Sequence, residues 1–218
     1  MSTEEEIYQK LKNAIIKRYI KSGNKLVEET IAQKLGVSRT PVRAAMRRLA
    51  NDGLLTIMPK RGAVVISPTI AEIEQTYEVR IEMEKMAVRK AAENITEKQL
   101  KKLDEIIQKE IEIFKADNIE DYNENNEAFH LLIAEASGNK VLYRYIDQLL
   151  EKMKIYLILY DPFFKLKRHF ISSEHRPIVE ALEEKNAERA VLEMEEHLTA
   201  AFEQLDTSEV LPPDYFSL

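Results

Sequence analysis

Apolar positions in the first third of the chain follow two rhythms. Ile7, Leu11, Ile15, Ile16, Tyr19 and Ile20 recur every three or four residues, the spacing that lays one helix face on a core, and the pattern predicts a first helix ending near Ser22-Gly23. A short second helix is predicted from about Glu28 to Leu35, with Ile31, Ala32 and Leu35 facing inward and Gly36 permitting the turn that follows. Ser38 has the chemistry of an N-cap. Pro41 falls in the first turn of the third helix, where a missing N–H costs nothing. In that helix Val42, Ala45, Met46 and Leu49 form an apolar stripe, and Arg39, Arg43 and Arg47, four apart, lie on the opposite face. Past Gly53 the rhythm shortens. Leu54-Leu55-Thr56-Ile57 and Ala63-Val64-Val65-Ile66 read as two strands joined by a tip from Pro59 to Gly62.

From Ser67-Pro68-Thr69 onward only the helical rhythm remains. Thr69 with Glu72, and Thr96 with Gln99, have the spacing of capping boxes, opening helices to about Asn94 and Ala116. Further helical patterns cover roughly 119–136, 140–160, 174–185 and 187–205, with breaks at Asp117-Asn118, Ser137-Gly138-Asn139, Asp161-Pro162 and Lys185-Asn186. The predicted fold is mainly α. A winged helix-turn-helix with a small β-hairpin wing occupies residues 1–67, an all-helical bundle 68–206, and an irregular tail 207–218.

Charge sharpens this division. Residues 1–66 carry 13 Lys and Arg against 6 Asp and Glu, while the remainder carries 19 against 32. A basic head on an acidic body suits one domain that contacts DNA and one that does not. No apolar run approaches the roughly 20 residues that span a bilayer, and the acidic start MSTEEEIYQK does not read as a secretory signal. With no cysteine there is neither a disulfide framework nor a thiolate metal site. A cytoplasmic protein without membrane association is expected.

The arginine face supplies candidate chemistry for double-stranded DNA. A guanidinium fork matches guanine O6 and N7 or clamps phosphates. Residues nearest the helix start usually reach base edges, so Arg39, Thr40 and Arg43 are the candidate base readers. Ser38 is a candidate phosphate ligand at the helix end. Arg47 and Arg48 are expected to touch backbone or nothing, and Lys60, Arg61 and Gly62 form the wing tip, placed for minor-groove or phosphate contact. Residues 26–65 resemble the DNA-binding domain of the GntR family of bacterial transcription regulators. The pattern is carried by Ser38, Arg39, Thr40, Pro41, Val42, Arg43, Leu49, Asp52, Gly53, Leu54, Arg61 and Gly62. Glu29 departs from it, since many members have arginine there. The resemblance implies a homodimer on a two-fold, near-palindromic operator.

All four histidines lie in the acidic body. His130 follows Asn126 by one turn, so the two share a helix face. His175 and His197 are equidistant from Asn186, so a helical hairpin turning there brings them level. Imidazoles on adjacent helices can converge, and His130 from a third helix makes a three-nitrogen site suited to a borderline divalent ion such as zinc or nickel. His169 reads as a loop residue. Residues 72–205 resemble the effector domain of the FCD branch of the same family, through Val79, Arg80, Met83 and Glu84; through Asn126, Phe129, His130, Gly138 and Asn139; and through His175, Ile178, Ala181, Leu182, Ala190, Met194 and His197. The resemblance implies that one Asp and three His bind a metal beside an effector cavity. Here Asn126 occupies the Asp position, which removes an anionic ligand. Three histidines can still hold a metal, or the cavity takes its ligand without one. Arg80 can pair with an effector carboxylate, or simply with Glu84 one turn on.

Together these features predict a DNA-binding transcription regulator, not an enzyme, whose operator affinity responds to a small carboxylate bound near a metal. Repression relieved by ligand is the commoner arrangement in the family. A regulator sensing the metal itself is the alternative. A metalloenzyme with a DNA-binding head is a weaker one, because no carboxylate has an obvious general-base position; Glu127 and Glu174 are expected to point away. The basic helix disfavours a pure scaffold.

Overall fold

The computed structural model describes residues 3–59, 62–116, 119–160 and 175–205. The first helix, α1 (Thr3–Ile16), buries Ile7, Leu11, Ile15 and Ile16. It ends before the predicted Ser22-Gly23, because Arg18 adopts a left-handed φ of 56° and the Ile20 N–H returns to the Ala14 carbonyl. Tyr19, beyond that turn, is 80% exposed rather than packed. Helix α2 (Glu28–Leu35) closes on Gly36 in the left-handed conformation. Ala32 is its buried residue, and Leu35, on the last turn, stays exposed where an inward position was expected. Helix α3 (Arg39–Asn51) begins at Ser38, which has the N-cap backbone conformation but makes no side-chain capping bond.

The apolar stripe of α3 is the centre of the head. Val42, Ala45, Met46 and Leu49 are buried, together with Ile15 of α1 and Leu54, Ala63 and Val65 beyond the helix. Arg48, expected to touch backbone or nothing, makes contacts within the head itself. It pairs with Glu5 at 2.6 Å and lies 4.0 Å above the Tyr8 ring, while Tyr8 donates to Asp52. Residues from α1 and the end of α3 are thereby tied together.

The expected hairpin is part of a three-stranded antiparallel sheet. Strand β1 (Lys25–Leu26) was not foreseen, because two residues carry no readable alternation. With β2 (Leu55–Met58) and β3 (Gly62–Val65) it gives the order β1-β3-β2. Leu26 pairs with Ala63, and Thr56 with Val64. Gly62 is required by this arrangement. Its φ is 90°, and a Cβ there would stand 2.2 Å from the Leu26 carbonyl oxygen.

The second compact unit is built mainly from Ala71–Leu157 and the segment beginning at His175. Among the described residues it is wholly helical: α4 (Ile70–Asn94), α5 (Glu97–Ala116), α6 (Ile119–Ala136), α7 (Lys140–Tyr160), α8 (Arg176–Glu183) and α9 (Ala187–Glu203). The predicted Thr96/Gln99 capping box is present, with Gln99 N–H donating to Thr96 Oγ1 and Thr96 N–H to Gln99 Oε1. Asn139 accepts from the N–H groups of Val141 and Leu142 at the start of α7. Asn186 caps α9 by accepting from Arg189 N–H, after Lys185 turns the chain at φ 53°.

One buried cluster joins Val88 and Ala91 of α4, Leu103 of α5, Phe129 of α6, Leu182 of α8 and Met194 of α9. A second joins Ala87, Ala134, Ile146 and Leu150 along α4, α6 and α7. Among the described residues no helix is long and apolar enough to cross a membrane. The tail from Thr207 and the loop residue His169 lie outside the described residues.

Candidate nucleic-acid interface and buried histidine site

The apolar stripe that buries one side of α3 leaves Arg39, Thr40, Arg43 and Arg47 exposed on the other. Arg43 forks onto Glu28 of α2, its Nε and Nη2 both reaching carboxylate oxygens at 2.9–3.0 Å, and Arg39 approaches the same carboxylate at 3.7 Å. Arg47 makes no ion pair among the described residues. A concavity of about 500 Å³ runs along this face, lined by Lys25, Glu28, Arg39, Arg43, Arg47 and Gly62. Ser38 is exposed at its N-terminal end. Lys60 and Arg61 of the wing tip lie outside the described residues. Glu28, absent from the sequence-based set, holds the Glu28–Arg43 pair together strongly enough to keep its carboxyl below the usual range; the Arg43 hydrogen bond outweighs partial burial.

In the body, three elements bring three imidazoles together. His130 lies on α6, His175 at the start of α8 and His197 on α9. Ring centroids are 5.6 Å apart for His130–His175, 5.3 Å for His130–His197 and 4.5 Å for His175–His197. One nitrogen from each ring falls within 4.8 Å of the others. The equidistance from Asn186 matters here, since the capped turn folds α9 back along α8 and returns His197 to the level of His175. Phe129 stacks on the His175 ring at 4.0 Å and fixes its plane. Asn126 is buried one turn before His130 on the same helix.

The donor chemistry suits a divalent ion. His130 Nε2 and His197 Nε2 are 3.4 Å apart. Two nitrogens bound at about 2.1 Å to one tetrahedral ion would themselves be separated by about 3.4 Å. His130 Nδ1 meets Glu84 Oε2 at 2.5 Å, while Glu84 Oε1 accepts from Arg80 Nε at 2.6 Å. Burial alone would raise the Glu84 carboxyl, but the charges and hydrogen bonds of His130 and Arg80 outweigh it and hold it at about 2. Burial pushes His130 down to about 4 despite the pull of Glu84. His130 is therefore neutral near pH 7, and Arg80 is the cation that keeps Glu84 ionised. The imidazole donates Nδ1–H to the carboxylate and presents Nε2 as a lone pair, the orientation found in metal-binding histidines. Burial, then the neighbouring His175, His130 and Arg80, push His197 well below 6.5.

Both sequence readings of Arg80 describe part of what is seen. The pair with Glu84 exists, yet Arg80 is 2% exposed and its Nη2 makes no hydrogen bond. Two carboxylates stand beside the histidines, where the sequence offered no obvious general base. Glu84 contacts His130, and Glu110 of α5 lies 2.7 Å from His175 Nδ1 with both side chains fully buried. Glu110 was legible in one respect: with Leu103, Ile107 and Ile113 it falls on the buried stripe of α5, an unusual place for an acid. Glu127 instead pairs with Lys154 at 3.4 Å, and Glu174 lies outside the described residues. A groove of about 1260 Å³ along α5, α6 and the start of α7 shares no residue with the histidine site.

Comparison with known proteins assigns the class that this head and body define. Residues 3–65 match the family of bacterial regulatory proteins named gntR, and residues 75–200 match the FCD domain. The HTH-type transcriptional regulator YdhC of Bacillus subtilis is 30% identical over 90% of this chain and 86% of its own. The HTH-type transcriptional repressor RspR of Escherichia coli is 26% identical over 98% of this chain and 93% of its own. The solved structure of E. coli McbR/YncC is 27% identical, with a TM-score of 0.62 and coverage of 94% of this chain and 98% of that one. The chain belongs to the GntR family, in the branch that carries an FCD domain, a family of DNA-binding transcription regulators and not of enzymes.

Proposed function

We propose that the protein is a cytoplasmic, homodimeric repressor that leaves its near-palindromic operator when a small carboxylate binds beside a zinc or nickel ion in the helical body. Arg39, Thr40 and Arg43 read base edges in the major groove, Ser38 and Arg47 hold phosphates, and Lys60, Arg61 and Gly62 form the wing contact. His130, His175 and His197 hold the ion, with the Asn126 amide oxygen as a neutral fourth donor. The bound ion would supply a positive anchor for one carboxylate oxygen of the effector.

The observation that carries this reading is the buried side chain of Arg80. Its Nε is spent on Glu84, which in turn orients His130, and its Nη2 makes no hydrogen bond. An orphaned guanidinium N–H in an interior is costly, and a ligand carboxylate next to the histidines would satisfy it. Coupling to the operator then requires that the effector favour one placement of the two heads, at the ~1–3 kcal/mol typical of such linkage.

Selecting bound sequences from a random duplex library tests the DNA reading. A two-fold symmetric consensus is expected, and Arg43→Ala should lose it while the helical content of the body is unchanged. An asymmetric consensus, or selection unaltered in Arg43→Ala, contradicts the assignment. Asn126 favours one second reading. A site lacking the anionic ligand holds its ion more weakly, so the ion can itself be the signal. Operator affinity that changes with zinc alone, and with no carboxylate in a panel of hydroxy acids, would select it.

A further inference from the structure

The buried charges of the body leave one acid unexplained. Among the described residues its buried carboxylate, lysine and arginine side chains are Arg80, Glu84 and Glu110. Arg80 and Glu84 neutralise each other. Glu110 is fully buried and, among the described residues, has no Lys or Arg partner and makes no hydrogen bond through either oxygen. His175 Nδ1 lies 2.7 Å from its Oε1 but out of line for a hydrogen bond, and neither nitrogen of His175 has a hydrogen-bond partner among the described residues. A carboxylate placed so is expensive unless a positive charge comes to it.

The geometry points to Glu110 as a positioning residue for the metal, a proposal that rests on the metal reading above. It aligns with His175 Nδ1–H when an ion draws Nε2, and it supplies the negative charge that Asn126 does not. The parallel with His130 is direct. There the Nδ1 already faces Glu84 and Nε2 faces the other rings. Carboxylate on one nitrogen and metal on the other is the arrangement that fixes the tautomer and raises ligand basicity. The packing needed for it is in place. Arg176, next to His175, pairs with Asp104 of α5 at 2.5 Å, and Phe129 stacks on the imidazole from the other side. The start of α8 is held against the helix that carries Glu110. Two buried acids against one arginine and one divalent ion leave the site net positive, which also suits an anionic effector.

Zinc affinity of the full-length protein, measured by competition with a chromophoric chelator, tests this. Wild type, Glu110→Gln, His175→Ala and the double variant are compared. Glu110→Gln is nearly isosteric. It should still take about one zinc per chain but about 10–100-fold more weakly, the range seen when such outer carboxylates are changed. Added to His175→Ala, it should change affinity less than twofold, because Glu110 acts through that ring. Wild-type affinity in Glu110→Gln overturns the proposal, as does a further tenfold loss in the double variant, which would make Glu110 a ligand in its own right. If Glu110→Gln does not fold, Glu110→Asp substitutes, and undiminished affinity there overturns it equally. No zinc bound by wild type would instead remove the metal reading itself, a result separable from the others.

Discussion

Arg80 and Glu84 are one turn apart on α4 and wholly buried, so each supplies the countercharge for the other in the interior. Removing one member of such a pair typically costs ~3–5 kcal/mol. Arg80→Met should therefore lower the unfolding free energy by about that amount in urea titrations, and adding Glu84→Gln should recover part of it. Equal loss in single and double variants would mean that packing, not charge, dominates at this position. The same cluster sets a pH dependence. His130 binds its proton at about 4 in the fold against an ordinary 6.5, and Glu84 at about 2 against 4.5. In both cases the unfolded chain takes up protons first. The stabilising contribution is complete above pH 6.5. It is lost through His130 as pH falls from 6.5 to 4, and through Glu84 from 4.5 to 2. Metal-free protein should show unfolding midpoints that decline steadily below pH 6.5, and His130→Phe should flatten the upper part of that decline. On the DNA face, Glu28→Gln releases Arg43 and removes a negative charge. Binding to random duplex should strengthen, and discrimination in favour of the operator should narrow, read as the ratio of the two affinities at fixed salt.

At the scale of elements, the wing depends on a contact of backbone with backbone. Gly62→Ala drives a methyl group into the Leu26 carbonyl and strains a left-handed residue. A loss of at least ~1–3 kcal/mol from the backbone strain alone is expected in the thermal unfolding of the head, and an unchanged melting temperature would contradict the β1–β3 register. Neighbouring positions show what the sequence could and could not disclose. The α3 stripe of Val42, Ala45, Met46 and Leu49 was plain because all four are apolar at one period and all four are buried. So were the Thr96/Gln99 box and the Asn186 turn, since each is a local hydrogen-bond motif. Strand β1 was hidden, because pairing with β3 is a non-local event that two residues cannot announce. The end of α1 was misjudged for a related reason. Tyr19 and Ile20 keep the helical period in sequence, but the left-handed Arg18 has already broken it in space. Glu28 and Glu110 were missed as partners because a carboxylate's role depends on what faces it from another helix.

The whole molecule is a basic DNA-binding head joined to an acidic helical body whose interior carries unusual polar density. A body built only for support would fill the space between α4, α5, α6, α8 and α9 with aliphatic groups, as it does around Leu103 and Met194. Instead three histidines, two acids, an arginine and three asparagines are buried on these helices, and Glu110 and His175 make no side-chain hydrogen bond among the described residues. Such groups destabilise a fold that has no ligand for them. Binding to the native state alone then returns stability by mass action, about 4 kcal/mol at a thousandfold excess over Kd. Metal saturation should accordingly raise the melting temperature of the body, and it should do so less in Glu110→Gln.

The most direct test of this account is the metal content of the purified protein, by elemental mass spectrometry on wild type beside His130→Ala. About one zinc or nickel per chain, absent from the variant, is the predicted result. No metal in the wild type, even after incubation with zinc and nickel salts, would contradict it.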